Sequence, residues 1–95
     1  MKNFAISPEI LSKLQVKHNV TAREVEQCFE NKCGLYLDDN REEHRTDPAT
    51  LWFIAPTNRD RLLKVVFIFI NSTVHIKTDF EPTQEVVDIY ERVAK

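Results

Sequence analysis

The segment "LLKVVFIFINSTVHIKT", Leu62–Thr78, limits the possible folds more than any other part of the chain. Its run Val65–Ile70 is apolar throughout, which predicts a strand covered on both faces. Only Asn71 and Ser72 separate this run from "TVHIKT", and two residues are too short for a crossover connection. The segment therefore predicts a β-hairpin whose first strand is central in a sheet.

Capping residues predict two helices ahead of this hairpin. Ser7 precedes Pro8, which suits the first helical position because a residue there needs no N–H, and the helix should end at Lys17-His18-Asn19. Thr21 and Glu24 have the spacing of a capping box. The helix that they start carries an apolar stripe at helical spacing, so it should pack on the sheet.

The remaining elements complete the predicted fold. Short strands are expected at Leu35–Leu37 and Thr50–Ala55, a turn with positive φ at Gly34, and a helix within residues 81–95. This order predicts an α+β class with two N-terminal helices, a small mainly antiparallel sheet of three to four strands, and a C-terminal helix. The helices should pack on one face of the sheet. We expect residues 1–95 to form a single domain.

The overall charge restricts the partners. The chain has 95 residues and a formal net charge of −2. Proteins that bind nucleic acid non-specifically are usually basic, because contacts with phosphate supply much of the affinity. Any RNA-binding role must therefore rest on a local cationic patch. Gly34 is the only glycine, which excludes a glycine-rich phosphate loop.

The sequence also bears on location and cofactors. The longest apolar run has six residues, far below the roughly twenty that span a bilayer, and Pro8 interrupts any signal-peptide core. We therefore expect a cytoplasmic protein with no membrane contact. Cys28 and Cys33 stand farther apart than zinc ligands usually do, and no second cysteine pair follows. We expect reduced thiols, no metal and no cofactor.

Lys17 and His18 close the first predicted helix. Their cations would complement the helix dipole, which is a purely structural role. The functional alternative is a cation beside a group that exchanges protons near neutral pH, a pair suited to phosphate binding or proton transfer.

A strongly charged stretch, "LDDNREEHRTDP", lies between apolar segments. One interpretation is a solvated connection. If the stretch instead extends a strand, Arg41 and Arg45 share one face and His44 lies on the other. Such faces could hold an anion or carry out acid–base chemistry.

Arg59 and Arg61 bracket Asp60 in the turn before the central strand. The structural interpretation is a turn with exposed charges. In the functional interpretation, one arginine turns onto the sheet and binds phosphate through its bidentate fork.

The last strand and two aromatic residues complete the candidates. His75 and Lys77 should share one face of that strand, where they could join a cationic patch. Trp52 and Tyr36 could stack on bases, but aromatic side chains dominate small cores, so we expect both in the core.

Together these segments resemble the BrnT-type toxins of the RelE-like superfamily, small bacterial ribonucleases that pair with an antitoxin. The resemblance rests on the order of the elements and on "KHNVTAREVEQCF", "EEHR", a strand with Trp52, an arginine before "KVVFIFI", and "VHI". It spans about residues 16–90, and its best part is Lys17-His18 followed by the amphipathic helix that ends in Phe29.

The resemblance implies a metal-independent endoribonuclease of a type II toxin–antitoxin system, with RNA and an antitoxin protein as partners. Cationic side chains would promote attack of the 2′-hydroxyl on the adjacent phosphate and stabilise the developing charge. The residues at matching catalytic positions are Lys17, His18, Arg45, Arg61 and His75, while Arg41, His44 and Lys77 would bind the substrate.

The sequence departs from that family in two respects. The family tends to carry an arginine shortly after the last strand, and here Phe80 stands at that place, between Asp79 and Glu81. Toxins of the superfamily also tend to be basic, whereas this chain has a net charge of −2. An inactive relative, or a non-catalytic protein-binding or regulatory module on the same fold, is therefore the alternative.

The sequence is also similar to small bacterial proteins that carry the name ADP-ribosyl-(dinitrogen reductase) hydrolase. Enzymes with that activity are much larger helical proteins that hold two metal ions with clustered carboxylates. Asp38-Asp39 is the only adjacent aspartate pair here, so this function is a minor alternative.

Overall fold

Residues 3–38 and 49–95 are described by the computed structural model of this chain. They form three α-helices and one five-stranded mixed sheet, so the predicted α+β class with a C-terminal helix is confirmed. In chain order the elements are β1 (Asn3–Ala5), α1 (Pro8–His18), α2 (Ala22–Asn31), β2 (Leu37–Asp38), β3 (Thr50–Pro56), β4 (Leu62–Ile70), β5 (Thr73–Phe80) and α3 (Gln84–Ala94).

The sheet has the strand order β1-β5-β4-β3-β2. Neighbouring strands are antiparallel except β1 and β5, which run parallel with Phe4 opposite Val74. The sheet therefore has one strand more than the three to four predicted. Strand β1 was missed because its three residues are too few to show an alternating pattern.

The hairpin prediction is confirmed. Strands β4 and β5 pair along most of their length, and Asn71 and Ser72 turn between them with φ of 50° and 64°. Positive φ at both turn residues gives a backbone twist that matches the twist of paired strands. Asparagine tolerates this conformation better than most residues, which explains Asn71 in place of glycine.

The helix boundaries are also confirmed. The hydroxyl of Ser7 accepts a hydrogen bond of 3.2 Å from the N–H of Ile10, and Asn19 ends α1 in the left-handed conformation at φ 52°. In α2 the hydroxyl of Thr21 accepts from the N–H of Glu24 at 3.2 Å, and the Glu24 carboxylate accepts from the N–H of Thr21 at 3.1 Å. This reciprocal pair is the predicted capping box.

The prediction for Gly34 is wrong. Its φ is not positive. The glycine is needed for space, since a Cβ atom at this position would lie 2.6 Å from the hydroxyl oxygen of Tyr90. Tyr90 is buried, and its hydroxyl donates a 2.7 Å hydrogen bond to the carbonyl of Leu35.

Helices α1 and α2 cover one face of the sheet, and the main core lies between them and the strands. Phe29 of α2 is its aromatic centre, with ring centroids 4.7 Å from Phe53 and 5.3 Å from Phe67 in edge-to-face geometry. Tyr36 packs edge-to-face against the same two strand residues, which confirms its predicted place in the core. The fully buried aliphatic residues of this core include Leu14, Val20, Val25, Leu63, Val65 and Val74.

Helix α3 lies on the opposite face, so the prediction that all helices share one face is wrong. Trp52 alternates with Phe53 along β3 and therefore points away from α1 and α2. Its ring lies 5.6 Å from that of Tyr90 in α3, which confirms Trp52 as a packing residue. Among the described helices the longest have 11 residues, and none is long and apolar enough to cross a membrane.

Candidate functional site

The turn between β3 and β4 fixes the backbone of Arg61. Thr57 is buried, and its hydroxyl accepts hydrogen bonds from the N–H groups of Arg59 and Arg61 at 3.2 and 3.3 Å. The N–H of Thr57 donates to the carbonyl of Arg61 at 2.9 Å, and Asp60 takes a positive φ of 62°. Arg61 therefore leaves a rigid turn at the end of the sheet that faces the end of α1.

The guanidinium of Arg61 joins three parts of the chain. Its Nε–H donates to Oε1 of Glu81 at 2.8 Å, and Nη1 donates to Oε2 of Glu24 at 3.2 Å. Nη1 and Nη2 also donate to the carbonyls of Asn19 and His18 at 2.7 and 2.8 Å. An arginine has five N–H donors. These bonds engage four of them and tie α1, α2 and the end of β5 together.

These contacts assign Arg61 a positioning role. Its side chain is only 24% exposed, and two carboxylates balance its charge. Burial alone would lower the pKa of Arg61, but the hydrogen bonds with Glu81 and Glu24 outweigh this effect and raise it. Within residues 3–38 and 49–95, the guanidinium that was predicted to bind phosphate thus binds protein oxygen atoms through four of its five N–H groups.

Lys17 and His18, predicted as a functional pair, line a shallow depression of about 370 Å³ together with Phe80 and Glu81. We call this the α1–β5 depression. The rings of His18 and Phe80 lie 5.7 Å apart with an interplanar angle of 39°. Because Arg61 holds both the carbonyl of His18 and the carboxylate of Glu81, it sets the position of these two residues relative to each other.

Glu81 is the member of this depression that the sequence did not single out as functional. Its side chain is 64% exposed, and only Oε1 is bonded to Arg61. A carboxylate that is held at one oxygen and open to solvent at the other can still exchange a proton with a ligand.

His75 and Lys77 lie elsewhere on β5. Both are exposed and alternate with the buried Val74 and Ile76, so the prediction that they share a face is confirmed. His75 is five positions before Phe80, which places it roughly 15 Å from the α1–β5 depression along the strand. The fold therefore brings together Lys17, His18 and Arg61 but not His75.

Arg41, His44 and Arg45 lie outside the described residues. Their predicted roles in substrate binding and catalysis stay predictions.

A buried carboxylate one residue before Phe80 was missed. Asp79 is fully buried, and neither of its carboxylate oxygens has a hydrogen-bond partner among residues 3–38 and 49–95. Burial raises the pKa of Asp79 to about 8, the charge of Glu24 adds to this effect, and Arg61 opposes it. At neutral pH this side chain is therefore mostly protonated.

Cys28 of α2 belongs to the same buried region. Burial raises the pKa of its thiol to about 12, with further contributions from Asp79 and Glu24. The sulfur lies 3.5 Å from the carbonyl oxygen of Ala55, to which the S–H can donate. Cys28 is thus a packing residue, whereas Cys33 is an exposed free thiol.

A second, larger concavity separates the start of α2 from the β3–β4 turn. It has a volume of about 450 Å³, and we call it the α2–turn groove. It is lined by Asn19, Thr21, Arg23, Glu24, Gln27, Thr57, Asn58, Arg59 and Arg61. Three arginines and one glutamate give this lining a formal charge of +2 in a chain of net charge −2.

In the described part of the chain, no three histidine, cysteine or carboxylate side chains gather as a metal site would require, so nothing there favours the hydrolase alternative.

The chain matches no protein-family model, and it has no significant match among curated proteins.

Proposed function

We propose that this chain is a toxin-like protein of a bacterial type II toxin–antitoxin system and that it cleaves RNA without a metal ion in the α1–β5 depression. One observation carries the proposal: the guanidinium of Arg61 holds the backbone of His18 and the carboxylate of Glu81 at the same time. An imidazole and a carboxylate that line one small depression are a common means of acid–base catalysis.

The proposed chemistry is an internal phosphoryl transfer. The free oxygen of Glu81 takes the proton of the RNA 2′-hydroxyl, and the 2′-oxygen attacks the adjacent phosphorus. The bond from phosphorus to the 5′-oxygen breaks, and His18 gives its proton to that leaving oxygen. Lys17 stabilises the negative charge that develops on the phosphate. The products carry a 2′,3′-cyclic phosphate and a 5′-hydroxyl.

The BrnT-type family tends to carry an arginine at the position of Phe80. In this proposal Phe80 has a different role. It lines the depression beside His18, so a base that enters the depression can contact its ring. Arg61 takes no part in the reaction and acts by positioning. The resemblance adds a cytoplasmic location and an antitoxin partner to the proposal.

Three variants test the proposal in bacterial cells that express the chain from an inducible promoter. His18→Ala removes the imidazole and keeps the carbonyl that binds Arg61, while Glu81→Gln keeps an oxygen for Arg61 and loses the base. His75→Ala is the control on the same sheet. We expect growth arrest with the wild type and with His75→Ala, and normal growth with the other two. Arrest that only His75→Ala abolishes would contradict the proposed site.

A second candidate function is the non-catalytic protein-binding or regulatory module. The commitment of Arg61 to Glu24 and Glu81 favours it, because an arginine that the sequence predicted to bind phosphate is occupied by protein carboxylates. This candidate predicts that folded wild-type chain neither arrests growth nor cleaves RNA. It also predicts that the chain copurifies with the product of an adjacent gene when the two are coexpressed.

A further inference from the structure

Two arginines, one on α2 and one in the β3–β4 turn, are exposed at the α2–turn groove. Arg23 on α2 and Arg59 in the β3–β4 turn both line it, and both are exposed. Within residues 3–38 and 49–95, neither guanidinium has a hydrogen bond or an ion pair, whereas Arg61 at the floor of the groove is engaged by Glu24 and Glu81. The available positive charge of the groove therefore comes from Arg23 and Arg59.

The framework between these two arginines is rigid. The N–H of Asn58 donates to the Gln27 side chain at 3.1 Å, and the Asn31 amide donates to Oδ1 of Asn58 at 2.9 Å. The same Asn31 amide donates to the carbonyl of Pro56 at 3.0 Å. These bonds fasten the turn to α2, so the two arginines face the groove from elements that are hydrogen-bonded to each other. Such preorganisation reduces the entropic cost of binding.

The chemistry of the lining selects the kind of ligand. Guanidinium groups bind carboxylates and phosphates through paired hydrogen bonds. None of the residues that line the groove is aromatic, although binding of single-stranded RNA usually relies on bases stacked on aromatic rings. Every lining residue carries a polar or charged side chain, which suits a polar segment of a partner better than an apolar helix or strand. Carboxylates of a protein segment fit these constraints best.

We propose that the α2–turn groove is a docking site for an acidic peptide segment of a partner protein, with Arg23 and Arg59 binding its carboxylates. The site is separate from the α1–β5 depression and does not depend on RNA cleavage there. Its recognition is electrostatic, so it should weaken as salt rises.

A fluorescence anisotropy titration of the full chain with a labelled polyglutamate peptide tests this proposal. The double variant Arg23→Glu/Arg59→Glu reverses both exposed charges, and the single variants Arg23→Glu and Arg59→Glu reverse one charge each. Arg92→Glu, at an exposed arginine on α3, is the charge-matched control for the single variants. We expect saturable binding by the wild type, a loss of about tenfold or more in the double variant, and a change below about twofold in the control. Binding should also weaken between roughly 0.05 M and roughly 0.5 M salt.

Three results would overturn the proposal. The first is no binding of the peptide to the folded wild type. The second is an equal loss in the Arg92→Glu control, which would mean that the peptide responds only to total charge. The third is tighter binding of a labelled polyuridine strand that the same double variant abolishes, because the groove would then serve RNA. Amide shifts of Gln27 and Asn58 on peptide addition, measured by NMR, locate the binding independently of the variants.

Discussion

The Nε–H of Arg61 donates a 2.8 Å hydrogen bond to Oε1 of Glu81, twenty residues later in the chain. Through this bond the turn before β4 fixes the residue that follows β5. The same guanidinium reaches the carbonyl of His18 at the end of α1. The positions of the proposed acid and base therefore depend on a third residue that never needs to contact the substrate.

Replacing Arg61 by alanine should destabilise the fold. The change leaves two carboxylates and two helix-end carbonyls without their donor, and we expect the free energy of unfolding to fall by about 2–3 kcal/mol. Arg61→Lys should recover only part of this loss, because the three donors of an ammonium lie on one nitrogen and cannot reach all the acceptors that Nε, Nη1 and Nη2 reach together. Urea denaturation measures both, with Arg92→Ala as the control. An Arg61→Ala protein as stable as this control would contradict the positioning role.

Stability should fall as pH rises, because Asp79 holds its proton in the folded state. The unfolded chain releases this proton near pH 4, whereas the buried carboxyl has a pKa of about 8. Between these values the folded state binds the extra proton, so this group lowers the free energy of unfolding by about 1.4 kcal/mol per pH unit. The stabilising contribution of the proton is complete below about pH 4. It decreases as pH rises and is fully lost once pH has passed about 8.

The variant Asp79→Asn removes this titration and nearly preserves the shape of the side chain. Urea denaturation at about pH 5 and about pH 8.5 should show a smaller loss of stability in the variant than in the wild type. Equal pH dependence in the two proteins would mean that Asp79 is not the group responsible.

A methyl group at Gly34 should destabilise the contact with α3. The Cβ atom of alanine would lie 2.6 Å from the Tyr90 hydroxyl, and the buried ring has little freedom to retreat. We expect Gly34→Ala to cost about 1–3 kcal/mol. In a Tyr90→Phe background, which lacks the clashing oxygen, the same change should cost less, and a thermal-unfolding double-mutant cycle measures the difference. Additive effects of the two changes would argue against the clash.

The two thiols should differ in reactivity. Cys28 is buried with a pKa of about 12, whereas Cys33 is exposed, so only Cys33 should react rapidly with a thiol reagent in the native protein. Denaturation should release the second thiol. A Cys33→Ser variant that still reacts quickly in its native state would contradict the burial of Cys28.

The fold could largely be predicted because its signals are local. The caps of α1 and α2 and the two-residue turn at Asn71 depend on neighbours within a few positions, and all were confirmed. The prediction for Gly34 failed because the glycine is required by a contact between residues far apart in the sequence. Tyr90, 56 positions later, packs against it, and no pattern in the neighbouring sequence indicates that contact.

The site was predicted only in part, since its decisive features are long-range. Strict alternation after the buried Ile76 would turn Asp79 outward, but β5 carries one extra residue, Lys77, between the pairs Phe67–Ile76 and Val66–Thr78. This bulge shifts the alternation and buries Asp79. Likewise, nothing near Arg61 in sequence indicates that its guanidinium reaches Asn19, Glu24 and Glu81.

The most direct test of the proposed ribonuclease site is the product end formed when purified chain acts on a labelled RNA in the presence of a metal chelator. The proposal predicts fragments with 2′,3′-cyclic phosphate ends, made by the wild type and His75→Ala but not by His18→Ala or Glu81→Gln, and no cleavage where the ribose lacks its 2′-hydroxyl. Folded wild-type chain that leaves the RNA intact, or His18→Ala and Glu81→Gln variants that cut as fast as the wild type, would contradict it.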